Sequence, residues 1–389
     1  MLDGAEMSQE FQQKRVGVPQ FAIIADDLTG ACDAAVPFAH RGLRTLVLPA
    51  YLAGVEVDAD ALAVSTETRD VAHGTMQQRV TAAFDRFSGS DHVFKKIDSV
   101  FRGNTFIEIA HALQLMPDAP VAIAPAFPAL NRICIDGVQE VRDVVGERRL
   151  PLYDCLQKVG VEARVVSRHS SVSTLKDVLR TNLEAGQRIF LFDSECQEDL
   201  GCAVAAVSTL SERTLWIGSG GLALALAGSI RQTVATHASL AGGSKTVFCV
   251  GSDHSVTQMQ LDRLLLDRTI TDCSVLDGNL AADSAQIVCR IPRDAVRNND
   301  IIRFIERVGI TEIGCIFVTG GDTASLLCEA LDIEAIEIRH EFAPGVPVGV
   351  IQGGPLDAIT IILKSGGFGD ADLLSQIART YSTKARMDK

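Results

Sequence analysis

The 389-residue chain is too long for one ordinary core and suits two domains. Its 47% hydrophobic content excludes a disordered chain, and with aromatics at only 5% the interior falls to small and branched residues, which suit parallel sheets covered by helices. A net charge of −13 without a long basic run excludes a nucleic-acid stripe, and no apolar stretch approaches the ~20 residues of a spanning helix.

In chain order, MLDGAEMSQEFQQKRVGVP (residues 1–19) reads as a flexible tail without the apolar region of a signal peptide. Strand-like runs follow at 21–25, 44–48, 61–65, 92–96, 120–125, 163–166, 188–192 and 214–217. Helical patterns lie between them, at about 30–40, 71–87, 104–115, 172–185 and 198–211. This alternation predicts βαβ units and a parallel sheet. The polar, small-residue stretch 229–244 marks a domain boundary, with domains at 20–237 and 245–385. A second α/β series then runs through strands 246–250, 272–276, 286–291, 314–318, 334–338 and 359–363, with helices 255–268, 299–309 and 322–331. The expected fold is α/β, two domains each with a mostly parallel sheet flanked by helices, and a ligand cleft between them.

In open parallel sheets, ligands bind at the C-terminal strand ends, so polar residues that interrupt apolar runs there are informative. ADDLTGA places Asp26 and Asp27 side by side after strand 21–25. One of them can cap the next helix; a second adjacent carboxylate is costly unless a cation or a hydroxyl-rich ligand meets it. FKKIDSVFRGNT supplies Lys95, Lys96, Asp98, Ser99, Arg102 and Asn104 where another strand ends, a set suited to a carboxylate or phosphate. Arg69 in VSTETRD can complete such an anion clamp. The second domain has three strand-to-Gly/Ser-to-helix turns: FCVGSDHSVTQMQL (248–261), CIFVTGGDTASLL (315–327) and LKSGGFGDADLL (363–374). Such turns let backbone N–H groups approach phosphate oxygens. None is GxxxxGK[ST] or GxGxxG. The eight histidines show no metal-ligand spacing, which leaves any protein metal site unknown, and His254 sits in a turn that can face the ligand. Ten cysteines without a CxxC pair read as buried free thiols of a reducing cytoplasm.

ADDLTGA at 25–31, KKIDSVFRGN at 95–104, APAFPALNR at 124–132, TGGDTA at 319–324 and KSGGFG at 364–369 resemble, in order, the motifs of the four-carbon acid sugar kinases. The resemblance runs from about residue 21 to 375. It implies ATP-dependent phosphorylation of the terminal hydroxyl of threonate, erythronate or 3-oxo-tetronate, with Mg²⁺. It further implies an N-terminal acid-sugar-binding domain and a C-terminal nucleotide-binding domain. By motif, Asp26, Asp27, Arg69, Lys95, Lys96, Ile97, Asp98, Ser99 and Arg102 would hold the acid sugar. Ser252, Ser255, Gly320, Gly321, Asp322, Thr323, Gly366 and Gly367 would hold ATP. Asp27 or Asp98 would accept the proton of the attacking hydroxyl.

The chain departs from the family pattern near these ligands. DSVFRGN stands where the family commonly reads DSTLRGN, so Val100 replaces a threonine; Asn131-Arg132 stands for Gly-Arg, and GSDHSVT, with His254, for GSCSxxT. The expected partners are therefore a small sugar acid and ATP, with no nucleic acid and no membrane, and a homo-oligomer is compatible with the chain. Two other readings stay open: a non-catalytic sugar-acid-binding or regulatory relative on the same scaffold, and a sugar-acid dehydrogenase, against which the missing GxGxxG argues.

Overall fold

The computed structural model describes residues 18–387, except 53, 54, 56, 91, 144, 145, 170, 212, 231, 233–242, 278–283, 293 and 294. The expected tail and most of the 229–244 boundary lie outside the described residues. The first lobe runs β1 (Phe21–Ala25), α1 (Leu28–His40), β2 (Thr45–Leu48), β3 (Ala61–Ser65), α2 (His73–Arg86), β4 (His92–Lys96), α3 (Thr105–Leu115) and β5 (Val121–Ala124). It continues with β6 (Arg132–Ile135), β7 (Val138–Asp143), β8 (Gly146–Pro151), α4 (Leu152–Lys158), β9 (Arg164–Val166), α5 (Val172–Glu184), β10 (Ile189–Phe192), α6 (Gln197–Val207), β11 (Leu215–Gly218) and α7 (Gly220–Gly228). The second lobe holds β12 (Lys245–Val250), α8 (Ser255–Leu264), β13 (Thr271–Ser274), β14 (Gln286–Arg290), α9 (Asn298–Val308), β15 (Ile313–Thr319), α10 (Gly321–Ala330), β16 (Ala335–Ala343), β17 (Val346–Gln352), β18 (Thr360–Lys364) and α11 (Leu373–Met387).

These elements follow the two side-chain periods. β1 and β3 are apolar along their length and buried at every position, as strands covered on both faces must be. α9 buries Ile301, Phe304, Ile305 and Val308, the i, i+3, i+4, i+7 stripe of a helix with one face on the core.

Each lobe has its own parallel set, as expected. The first is ordered β2-β3-β1-β4-β11-β5-β10-β9 and the second β13-β14-β12-β15-β18. What sequence patterning did not announce is that the two sets join into one 15-stranded sheet. The antiparallel pair β16 and β17 carries the join, and β16 meets β2 through Ile336–Val47 and Glu337–Leu46. Three successive antiparallel pairings leave the second set running opposite to the first. A small antiparallel sheet of β6, β7 and β8 was likewise unannounced; its β8 is largely exposed and lacks an apolar run.

α1 sits between the lobes. It is buried from Leu28 to Ala39 and packs on β2, β3 and α7 of the first lobe and on α10, β16 and β17 of the second. Its apolar residues belong to a core that continues from Phe21 and Ala63 to Ile316 and Ile336. The N-terminus of α1, where Asp26 and Asp27 stand, is thereby fixed relative to both lobes.

Candidate active site

Asp27 caps α1. Its backbone is extended (φ −145°), one carboxylate oxygen accepts the Gly30 N–H at 2.8 Å, and the other accepts the Thr29 hydroxyl at 2.9 Å. Capping therefore accounts for one aspartate, and Arg69 accounts for the adjacency of the second. Its Nε donates to Asp26 Oδ2 and its Nη1 to Asp27 Oδ2, both at 2.7 Å, while its Nη2 lies 3.7 Å from Asp98 Oδ1. One guanidinium thus spans three buried carboxylates, a geometry its planar fork permits and an ammonium would not. Burial pushes the Asp27 carboxyl up, but Arg69, Lys96 and the Gly30 N–H outweigh it and hold Asp27 below its ordinary range. For Asp26, burial and the Asp27 charge win over Arg69, and its affinity for a proton is raised. Asp26 Oδ1 is buried with no partner among the described residues.

Asp98 closes the 98–102 turn. It accepts the Arg102 backbone N–H at 2.9 Å and the Arg102 guanidinium at 2.6 and 3.1 Å. Against the push of burial, these bonds and Arg69 hold its carboxyl well below the usual range. Gly103, at φ +61°, lets the chain pass close to Arg69, whose carbonyl oxygen stands where a Cβ would fall.

In the second lobe, β12, β15 and β18 end side by side. Their exits are Gly251-Ser252, Gly320-Gly321 and Ser365-Gly366-Gly367. A Cβ on Gly251 would collide with the Thr323 hydroxyl, and one on Gly366 with the Ser252 hydroxyl, so the glycines let the three turns close up. α10 begins at Gly321 with no side-chain cap, which leaves the N–H groups of its first turn directed out of the helix. His254 caps α8 instead, its Nδ1 accepting the Val256 N–H at 3.2 Å.

Both sets of strand ends line one cavity of about 820 Å³. Asp26, Asp27, Arg69 and Arg102 face it from the first lobe, and Ser252, Gly320, Asp322 and Thr323 from the second. The lobes touch at its base. Thr29 Oγ1 lies 3.1 Å from Ser365 Oγ, and a Cβ on Gly321 would lie 2.8 Å from Asp27 Oδ2. At the side, the Arg132 guanidinium bonds Ser99 and stands 5.3 Å from the centre of the Phe368 ring.

Of the substrate residues expected from sequence, Asp26, Asp27, Arg69 and Arg102 come together in the cavity wall, with Asp98 directly behind them. Lys96 lies just beneath, where its Nζ would be 3.2 Å from a Cβ on Gly30. Alternation along β4 sends Lys95 to the other face; it is fully buried and paired with Glu108 at 2.6 Å, so it is not brought to the cavity. Ile97 is a core residue, and Ser99 is buried against Arg132. Of the nucleotide residues, Ser252, Gly320, Gly321, Asp322, Thr323 and Gly366 line the cavity; Gly367 packs beside His254, and Ser255 opens α8.

Three site residues were missed. Glu67 lines the cavity at φ +47°, where it accepts the Leu28 N–H at 3.1 Å and a bond from Ser65; burial drives its carboxyl up to about 7. Lys364 ends β18 beneath the third turn, and both residues were legible by the rule that drew attention to Asp26, a polar group ending an apolar strand. Arg79 donates from α2 to the Glu67 carbonyl at 2.8 Å and gave no signal, because charged residues dot every exposed helix.

The two lobes thus present an acid-rich and a glycine-rich wall to one cavity. Comparison with known proteins gives the class. Residues 21–152 match a sugar-binding N-terminal domain and residues 278–374 a nucleotide-binding C-terminal domain. A D-threonate kinase of Cupriavidus necator is 28% identical, covering 89% of this chain and 94% of its own. A D-erythronate kinase of Heliobacterium modesticaldum is 26% identical (90% and 94%), and a 3-oxo-tetronate kinase of Pseudomonas fluorescens 25% (92% and 96%). The fold is shared with a solved Salmonella typhimurium protein at a TM-score of 0.74, 19% identical, over 94% of this chain and all of that one. The resemblance to the four-carbon acid sugar kinases is thus shown for nearly the whole chain.

Proposed function

We propose that the protein is an ATP-dependent kinase that phosphorylates the terminal hydroxyl of a four-carbon sugar acid. The observation that carries this reading is the place of Asp27, held by Arg69 on one side and lying against the uncapped start of α10 on the other. A hydroxyl bound to Asp27 from the first lobe lies beside a phosphate bound to the α10 N–H groups from the second. The hydroxyl oxygen attacks the γ-phosphorus, the bond to ADP breaks, and the hydroxyl proton passes to Asp27. The low proton affinity of Asp27 suits phosphoryl transfer, which depends on positioning and charge more than on a strong base.

The other residues take roles consistent with their surroundings. Asp26, with one oxygen unpartnered, accepts a substrate hydroxyl. Arg102, whose guanidinium is half exposed, and Arg79 meet the substrate carboxylate. Asp98 and Lys96 set the charge behind them. We assign the acid sugar to a lobe of residues 20–237 and the nucleotide to 245–385; the reversal of strand direction supports that division. Among the described residues, no group of three or more His, Cys, Asp or Glu side chains could hold a metal. Mg²⁺ therefore fits as an ion brought by the nucleotide and met by one or two carboxylates, such as Asp322 and Asp253, where it would neutralise charge on the phosphates. No described helix is long and apolar enough to cross a membrane, and the ten cysteines are free thiols, which fits a reducing cytoplasm.

The test is ADP release from Mg-ATP against threonate, erythronate and 3-oxo-tetronate stereoisomers. Turnover with one four-carbon acid names the substrate. Silence across the panel, with ATP binding shown separately, makes the chain a non-catalytic relative or one specific for another acid. Val100, Asn131 and His254 are then the departures to revert.

A further inference from the structure

Lys364 is the last residue of β18 and is fully buried. Lys95, the other lysine buried to the same degree among the described residues, has Glu108 as its counter-charge. Lys364 has none: among the described residues its ammonium meets only neutral oxygens. It donates to Thr257 Oγ1 at 2.9 Å, to the Ser365 carbonyl at 3.2 Å and to the Gly366 carbonyl at 2.9 Å. A buried cation without a partner charge is expensive, and burial alone lowers this one to about 7.

Two consequences follow from those bonds. A trans peptide points its C=O and N–H in opposite directions, and the described chain has no cis bond. With the Ser365 and Gly366 carbonyls turned to the ammonium, the Gly366 and Gly367 N–H groups point away from it, and Gly366 lines the cavity. Neither N–H finds an acceptor among the described residues. Successive unpaired N–H groups above a buried positive charge form an anion-binding concavity. Lys364 also ties this turn to its neighbour. Its own carbonyl accepts the Gly320 N–H at 3.1 Å, and Thr257 reaches the Thr319 hydroxyl at 3.5 Å, so the turns after β15 and β18 hang on one buried network.

We propose that Lys364 is the positioning residue of the nucleotide site, that a bound polyphosphate is the counter-charge it lacks, and that nucleotide binding above neutral pH takes up a proton at its neutral amine, forming the ammonium. The proposal rests on the kinase reading. The free protein carries Lys364 increasingly neutral as pH rises through 7, and an anion over the turn restores the charged form. The other titratable groups of the surrounding elements are His254 at the start of α8, Asp253 before it, and Asp322 in the first turn of α10. Across the same cavity stands Glu67, whose carboxyl is driven by burial up to about 7, so His254 and Glu67 are the competing sites for an absorbed proton.

The experiment is calorimetric titration of the whole protein with a Mg²⁺-bound, non-hydrolysable ATP analogue, in buffers of different ionisation enthalpy at pH 6 and pH 8. Wild type is expected to take up close to one proton per nucleotide at pH 8 and far less at pH 6. His254→Gln and Glu67→Gln should each keep that uptake. Lys364→Met should lose it, bind the analogue about 10- to 100-fold more weakly, the scale of one lost charge-assisted contact, and still bind the sugar acid. Tight wild-type binding without uptake at pH 8, or uptake that vanishes in His254→Gln or Glu67→Gln and persists in Lys364→Met, overturns the proposal and leaves the kinase reading standing. Wild type that binds no adenine nucleotide overturns both. The wild-type measurement decides even if Lys364→Met does not fold.

Discussion

The two walls of the cavity solve the burial of polar groups in opposite ways. On the first-lobe wall, charge is dense and internally neutralised: Asp26, Asp27 and Asp98 share Arg69, and Asp98 also takes Arg102. On the second-lobe wall the lining is largely glycine turns and small hydroxyls, with Asp253 and Asp322, and Lys364 lies fully buried beneath it. The difference fits the ligands proposed. A neutral hydroxyl must be oriented by fixed acceptors, which a clamped carboxylate supplies. A polyphosphate brings its own charge and needs donors that approach closely, which glycine turns supply. Where the walls meet, a Cβ on Gly321 would stand 2.8 Å from Asp27 Oδ2, so only glycine fits there without a shift.

The largest effect is expected where that contact is chemical. Asp27→Asn keeps an acceptor for the Gly30 N–H, and so keeps the α1 cap, but cannot take the proton. Turnover should fall by about 10²- to 10⁴-fold, with a smaller loss of thermal stability because the amide no longer pairs with the Arg69 charge. Normal turnover in this variant would move the proton acceptor to Asp98. Gly321→Ala tests the same contact from the other wall. Its Cβ would stand 2.8 Å from Asp27 Oδ2, so the lobes must part or the carboxylate must turn. A kcat loss on the order of 10²-fold, with each ligand still bound, is the expected cost of misplacement by a fraction of a bond length. An unchanged kcat would mean that the contact is not part of the reacting geometry.

Arg69→Met breaks the internal neutrality of the first wall alone. It leaves adjacent buried carboxylates without their cation, which should cost about 3–5 kcal/mol of folding stability at pH 7. Asp27 and Asp98 have depressed proton affinity in the folded wild type, so their contribution is present above the ordinary carboxylate range and lost as pH falls through their folded values. In the variant that contribution is diminished, and the gap between the two proteins in a denaturant titration should narrow as pH falls below the ordinary carboxylate range. A gap independent of pH would show that packing, not charge, is what Arg69 provides.

How much of this was legible depends on how local the cause is. β1 and β3 were legible to the residue, because strand burial writes itself as an apolar run with a polar stop, and β4 (His92–Lys96) was legible with the same bounds despite its two lysines. Asp26, Asp27 and the glycine turns were legible for the same reason. Lys95 and Lys96 looked equivalent in sequence; only the β4 alternation separates them, and Glu108, which claims Lys95, lies a full helix turn into α3. The joining of the two sheets was not legible at all. It rests on two residue pairs between β2 and β16, segments nearly 300 positions apart, and no pattern in either announces the other. Glu67 shows a middle case: its position at a strand end was visible, but its positive φ and its bond to the start of α1 depend on α1 being wedged between the lobes.

The smallest effect is expected at the side of the cavity, where Arg132 from the first lobe lies over Phe368 from the second. A cation over an aromatic face is worth about 0.5–1 kcal/mol when partly solvated. Phe368→Leu keeps the apolar bulk and removes the ring face, so its effect isolates that attraction. If the pair helps to hold the lobes together over both ligands, KM for both should rise together, by about two- to fivefold, while kcat stays near wild type. A rise for the nucleotide alone would assign Phe368 to its own lobe's turn, whose backbone it shares with Gly366 and Gly367, and would reduce the stack to local packing. The two outcomes separate a contact that joins the walls from one that only lies between them, which is the distinction that Asp27 and Gly321 draw on a much larger scale.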